Sequence, residues 1–352
     1  MTRNNGRRFF CTLALTLLVG CSTDPYRPAT VTPVNTPGSP PQAAPGTGAT
    51  PPATTHVRIT QPSIFVSQYS QDPTSVLVFA GTASGPTAPY LQIPGWHPAV
   101  DGAGNLYIVN CYFGAPYSCS PNIDVYSPDA VLPGTPQRSL HTHIASIYDM
   151  TVSRSGEIFI SDGNGVAVFA KDATGDDPPS RYIQWAPSSY IAVDSSDNLY
   201  VLRRGTVAVF GPTATGAATP SRLIGGPHTR IRGEYDHDYG GLAVDAQGSV
   251  YVLCITEPAV EGLNSFGVLV FAADADGDAE PLRYVTTPQM NIEYDGTGVA
   301  VDTAGIIYVS ASLDLNVGAV FEFPADASGS VTPSTVISSG AWGENAGGIA
   351  LY

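Results

Sequence analysis

Gly298-Val299-Ala300-Val301-Asp302-Thr303-Ala304-Gly305-Ile306-Ile307-Tyr308-Val309 decides the fold. A short apolar run enters Asp-x-x-Gly and an alternating run leaves it, the pattern of two strands joined by a tight turn. The pattern recurs as PAVDGAGNLYIV from Pro98, MTVSRSGEIFIS from Met150, IAVDSSDNLYVL from Ile191 and LAVDAQGSVYVL from Leu242. Asp101, Asp194, Asp245 and Asp302 occupy the turn position, where a carboxylate bonds backbone N–H groups just ahead of it. Ser153 stands there in the Met150 copy.

A second half-motif follows each copy, of the form V-x-V-Phe/Tyr, with Pro ten residues after the aromatic. The pairs Phe79/Pro89, Tyr126/Pro136, Phe169/Pro179, Phe210/Pro220, Phe271/Pro281 and Phe323/Pro333 all keep that offset. Two residues beyond Pro, Arg138, Arg181, Arg222 and Arg283 fill four of the six positions. Four strands per unit, repeated every ~40 to 60 residues, is the sequence form of a propeller blade. The first unit, from about Val57, holds Ile64-Phe65-Val66 and Ser75-Val76-Leu77-Val78-Phe79 without an inner strand ahead of them. Gly347-Gly348-Ile349-Ala350-Leu351-Tyr352 supplies that strand from the other end of the chain. The expectation is an all-β, six-bladed β-propeller over residues 57–352, closed by a C-terminal strand that removes an exposed sheet edge.

These residues resemble the NHL-type repeat, in which a blade reads G-[IV]-A-V-D-x-x-G-[NI]-[LI]-Y-V and then V-x-V-F. The resemblance covers Val57 to Tyr352. The tail Gly216-Ala217-Ala218-Thr219-Pro220 is similar to the repeat of many exported bacterial NHL proteins. The fold family hosts metal-dependent lyases and hydrolases, but the ligand orders of its enzymes do not map residue by residue onto this chain, and fold alone supplies no activity.

Charged residues make up 13% of the chain, about half the usual share, and no helical periodicity of useful length is present. The formal charge is -15 with Lys171 as the single lysine, so a phosphate backbone would be repelled and nucleic acid is excluded as a partner. Residues 1–20 carry Arg3, Arg7 and Arg8, then a short apolar run from Phe9 to Val19, the shape of an export signal. Leu18-Val19-Gly20-Cys21 resembles the lipobox of bacterial lipoproteins. That resemblance implies cleavage before Cys21, acylation of its thiol and a lipid anchor in the bacterial cell envelope, on the outer membrane in a Gram-negative cell because Ser22 follows. The alternative is an ordinary secretory peptide with Cys21 unmodified. Residues 21–56 are Pro, Thr, Ala, Gly and Ser with few large apolar side chains, a disordered tether reaching up to roughly 100 Å when extended.

An exported chain lets cysteines pair, and Cys111 and Cys119 are expected to form a disulfide within one loop. Asp274-Ala275-Asp276-Gly277-Asp278 has the oxygen-rich look of a calcium loop but reads as a solvated turn, since the same slot holds KDATGDD in a neighbouring unit.

In four-stranded blades the hairpin turns face one side, and the blade-to-blade connections face the other. Here the first set is regular and the second irregular, which marks the functional face. Trp96, Trp185 and Trp342 all fall in these connections, as do His97, His141, His143, His228 and His237. The expectation is that they gather at the mouth of the central channel. Three readings stay open. The tryptophans fill wedges between blades; or Trp96, His97, Tyr148, Trp185, Tyr190, Arg230, Arg232, Tyr294 and Trp342 form a binding face; or His141, His143, His228 and His237 with Asp236 or Asp238 hold a divalent metal such as Zn or Ca. The preferred function is a membrane-anchored binding or scaffold protein, monomeric and without a cofactor, that offers this face to an envelope protein, peptide or glycan. The rival is a metal-dependent lyase or hydrolase.

Overall fold

The computed structural model describes residues 57–68, 74–111, 121–187, 190–231, 240–260, 263–289, 298–314, 317–339 and 346–352. The leader and tether, with Cys21, lie outside these residues, as do Cys119, Arg232, Asp236, His237, Asp238, Tyr294 and Trp342.

Each repeat folds into an antiparallel blade. In the third, Asp149–Val152, Ile158–Ser161, Val166–Phe169 and Arg181–Ile183 lie side by side in chain order. Among the described residues six such blades form a ring. Their innermost strands, Trp96–Val100, Asp149–Val152, Ile191–Val193, Gly241–Val244, Gly298–Val301 and Ala346–Leu351, touch in that order and the last touches the first. The second and third strands of a blade face neighbouring blades on both sides. Ile158, Phe159, Ile160, Val166 and Val168 are accordingly all buried, which is why these strands read as continuous apolar runs.

The ring is closed as the chain ends imply. Ala346–Leu351 pairs with Ser63–Gln68 in the register Ile64↔Leu351, Phe65↔Ala350 and Val66↔Ile349. Asp101, Asp194, Asp245 and Asp302 each accept the N–H groups two and four residues on at 2.8–2.9 Å. Ser153 Oγ takes the Glu157 N–H at 3.1 Å in the same role.

The second half-motif explains how blades hold one another. Gly85, Gly175, Gly216, Gly277 and Gly329 each precede the motif proline by four residues, and all sit at φ between +56° and +76°. Only glycine adopts that region without strain. The turn so formed pairs in parallel with the outermost strand of the preceding blade, through Ile337↔Gly85, Leu140↔Gly175, Ile183↔Gly216, Ile224↔Gly277 and Val285↔Gly329. Five of the six outer edges are thereby covered, that of Leu91–Pro94 being the exception. The second blade lacks the glycine, having Leu132 there, and Val57–Arg58 pairs with Val131–Leu132 instead.

The arginine two residues past Pro bonds across the same junction. Arg222 Nη1 donates to the Ala275 carbonyl at 2.9 Å and Nη2 to Tyr200 Oη at 3.1 Å, whose hydroxyl donates to Asp194 Oδ2 at 3.2 Å. Arg138 reaches Ala173 and Arg283 reaches Ala327 in the same way. Arg181 instead bonds Glu157 in its own blade at 3.3 Å. Replacing Arg222 by Ala is expected to lower the unfolding free energy by about 1–3 kcal/mol, because a carbonyl and a phenol lose a charged donor. Arg222→Lys is expected to recover little, since an ammonium cannot bond both acceptors from a planar fork. Urea unfolding midpoints of the two variants check this.

Candidate functional site

The geometry of the channel follows from strand pairing. Each inner hairpin closes with a backbone bond at the turn residue, such as Asp302 N–H to the Ile306 carbonyl or Asp245 N–H to the Ser249 carbonyl, both 3.1 Å. In an antiparallel ladder every second residue bonds its partner strand, and the residues between point their N–H and C=O away. Pro98, Met150, Ile191, Leu242, Val299 and Ile349 are those intervening residues, and they line a central cavity of about 750 Å³.

One residue earlier on each inner strand stand His97, Asp149, Tyr190, Gly241, Gly298 and Gly348. These sit at the end of the channel where the blade-to-blade connections arrive. Each approaches the inner strand of the next blade. A Cβ at Gly241 would lie 2.9 Å from Val299 N, one at Gly298 3.0 Å from Ile349 N, and one at Gly348 3.4 Å from His97 Nδ1. On the other half of the ring, side chains fill that space. Asp149 Oδ2 accepts the Ile191 N–H at 2.9 Å, and Tyr190 Oη accepts the Gly240 N–H at 3.3 Å. His97 Nδ1 lies 3.6 Å from Asp149 Oδ1, which also takes the Met150 N–H at 2.9 Å. The His97 backbone has φ +46° at a bulge in its strand, and its N–H donates to Ser67 Oγ at 2.9 Å.

The His97 and Asp149 side chains are 10% and 19% exposed. Burial pushes the imidazole down to about 4. Burial also pushes the Asp149 carboxyl up to about 7, against the pull of the Ile191 and Met150 N–H bonds. Near neutral pH the imidazole is uncharged, and Asp149 is divided between acid and carboxylate. Among the described lining residues Asp149 is the single carboxylate, and there is no lysine or arginine. Trp96, Ile147 and Tyr148 also line the cavity, Trp96 and Ile147 packing against the apolar cluster of the second and third blades. Tyr148 is 56% exposed and rests one edge of its ring on the Gly163 backbone, where a Cβ would come within 2.9 Å of Cε2.

Of the aromatics and imidazoles expected at the channel mouth, Trp96, His97, Tyr148 and Tyr190 line the cavity, and the others that are described lie elsewhere. Trp185 packs edge-on to Phe210, ring centroids 5.3 Å apart, with the Arg203 guanidinium 5.2 Å from its centroid. It belongs to the apolar wedge between the third and fourth blades. His141 Nδ1 and His143 Nε2 each lie 3.0 Å from Asp176 Oδ1 on the exposed junction of the second and third blades. His228 pairs with Asp278, Nδ1 to Oδ2 at 2.6 Å, at the junction of the fourth and fifth. Arg230, at φ +62°, ends the short helical turn Pro227–Thr229. The three described imidazoles of the proposed metal set, His141, His143 and His228, thus sit at two separate junctions. Among the described residues no group of three His, Cys, Asp or Glu side chains is arranged to hold a metal ion.

Of the acidic turn at 274–278, Asp276 Oδ1 accepts the Leu223 N–H at 2.9 Å and Asp278 Oδ1 the His228 N–H at 2.7 Å, so both serve the blade junction. Asp149, Asp176 and Asp278 are partners that sequence reasoning missed. Aligning the repeat copies would have exposed Asp149, because it takes a position that is Gly in three of the six copies.

No protein-family profile matches the chain, and no curated protein matches it. Solved structures do. A protein of unknown function from Bacteroides caccae is 9% identical, aligned over 83% of this chain and 99% of that one with a TM-score of 0.52. A protein from Lactobacillus plantarum is 15% identical, over 76% of this chain and 80% of that one, with a TM-score of 0.41. At 9% identity the first likeness speaks for the fold alone.

Proposed function

We propose that this propeller is an extracytoplasmic binding protein of the NHL-repeat type, tethered to the cell envelope through a lipid on Cys21, whose site is the mouth of the central channel. The observation that carries the reading is the asymmetry of that mouth. Half of its ring is glycine and backbone, and the other half is His97, Asp149 and Tyr190, with the exposed Tyr148 among the lining residues of a cavity of about 750 Å³. A cavity of that size with few convergent polar groups is the usual form of a ligand site. Regular blades would have had six equivalent positions, and repeat folds concentrate function where the repeat is broken. The repeat motif and the Leu18-Val19-Gly20-Cys21 run support the family and the envelope address. A Cys111–Cys119 disulfide is part of the proposal and would brace the loop after Leu106–Cys111. The metal-dependent lyase or hydrolase reading draws no support from the described histidines, which are dispersed over separate junctions.

The partner is an envelope protein, peptide or glycan. Photo-crosslinking in intact cells tests the site. A photoreactive phenylalanine at Tyr148 is expected to yield adducts, and one at Tyr352, 40% exposed at the hairpin end of the channel, is expected to yield none. Adducts at 352 and none at 148 would overturn the assignment of the face. In the same strain Cys21→Ser is expected to move the protein from the membrane to the soluble fraction.

A further inference from the structure

We infer that the channel mouth receives an uncharged sugar ring, the terminal residue of a glycan, held between the backbone N–H groups of Val299 and Ile349 on one wall and Asp149 on the other. The inference rests on the channel mouth being the binding site and names its ligand class.

Charge narrows the class first. The chain carries -15 overall and the described lining has no lysine or arginine, so an anion finds no countercharge. A cation would need Asp149 fully ionised in a site whose burial favours the protonated acid. A neutral polar ligand meets neither obstacle.

Hydrogen bonding narrows it further. The position before each intervening residue decides whether the N–H of the next blade is capped. Asp149 caps Ile191, whereas among the described residues it is a glycine, Gly241 or Gly298, that stands beside Val299 N and Ile349 N. The two walls therefore differ in kind, donors on the sixth and first blades and an acceptor on the third. Each Asp149 oxygen keeps acceptor capacity beyond its one backbone bond. A hydroxyl accepts from an N–H and donates to a carboxyl oxygen, so a small ring bearing several hydroxyls engages both walls at once. Such a ring also has an apolar C–H face. Tyr148, an exposed lining residue whose ring rests on Gly163, offers an aromatic plane for it. Peptide side chains would satisfy one wall or the aromatic plane, but an unbranched peptide does not present donors, acceptors and an apolar face on one rigid ring.

Calorimetry on the full-length, detergent-solubilised protein tests this with chitotriose, cellotriose and maltotriose as neutral probes and acetate and ethylamine as charged ones. At least one trisaccharide is expected to bind. Tyr148→Ala should weaken it several-fold to about tenfold, and Asp149→Asn by a similar factor. Tyr352→Ala at the far end should leave it unchanged. Tyr148 is exposed, so its replacement spares the core and a loss there is not a folding artefact. Silence of all three sugars at millimolar concentration overturns the sugar assignment. Binding of acetate or ethylamine instead, sensitive to Asp149→Asn, also overturns it while leaving the mouth as the site. Sugar binding that neither mouth variant alters overturns the site as well.

Discussion

A chain ending at residue 345 is expected not to fold. The seven residues removed form the inner strand of the first blade and contribute the Tyr352 N–H bond to the Ser63 carbonyl at 3.0 Å, with the reverse bond at 3.2 Å. They also touch both neighbouring inner strands, Trp96–Val100 and Gly298–Val301. Ser310 Oγ, buried in the sixth blade, donates to the Gly347 carbonyl at 2.5 Å and would lose that acceptor. Losing several ladder bonds at about 1 kcal/mol each, and the packing of two interfaces, costs on the order of the whole stability of a domain. It would also expose the full edge of Ser63–Gln68, whose residues are all buried, and aggregation follows from such an edge. Loss of the thermal transition and rapid proteolysis are the expected readouts. Adding the peptide AGGIALY in trans should restore part of the transition, because the vacated edge is an acceptor for a strand. A truncated chain that melts like the full one would show that the ring does not need its closing strand.

The second large effect is a pH dependence that the native pair conceals. From about pH 4 to 6.5 the unfolded pair holds one proton, on His97, whose ordinary value is 6.5. The folded pair also holds one, but on Asp149, whose carboxyl stands near 7 against an ordinary 3.8. Proton numbers are equal, so this pair contributes no slope across that range. Replacing His97 by Gln leaves the acid alone. The folded state then binds a proton that the unfolded state lacks, and stability should fall as pH rises from 4 to 7, by up to about 1.4 kcal/mol per unit. Asp149→Asn leaves the imidazole alone, and the sign reverses. Stability should then fall as pH drops from 6.5 to 4, because the unfolded histidine gains a proton that the buried one refuses. Among the described residues, Ser67, the Met150 and Ile191 N–H groups and the Gly348 backbone stand against the pair, and none of these titrates in this range. Urea unfolding at pH 4.5, 5.5 and 6.5 measures all three chains. Parallel curves for wild type and both variants would overturn the account.

Much of the ring was legible in local chemistry. Asp-x-x-Gly before an alternating run specifies a hairpin wherever it stands, because the carboxylate and the N–H groups it accepts lie within five residues. The orphan strand at 347–352 was legible for a related reason, since a copy of the inner-strand motif with no hairpin after it must pair elsewhere. The motif proline and arginine were visible as a spacing, but their purpose was not. Gly277 makes its turn locally, yet its partner Ile224 and the Arg222 donor to Ala275 belong to another blade.

The candidate site divides the same way. Residue type and connection pointed to Trp96, His97, Tyr148 and Tyr190, which line the central cavity. The same reasoning also offered Trp185, His141, His143 and His228, and these turn outward or into a wedge between blades. A connection's sequence tells which face it belongs to, not whether its side chains point to the axis or away.

The sequence by itself therefore determined six blades, their hairpin turns and the closing of the ring, since each depends on contacts a few residues long or on a repeated pattern that must be completed. Only the tertiary structure decided that His97 meets Asp149, that Asp149 caps Ile191, and that Val299 and Ile349 face the channel beside glycine. Those relations join one blade to the next, and the burial that sets the protonation of the pair exists only once the ring has closed.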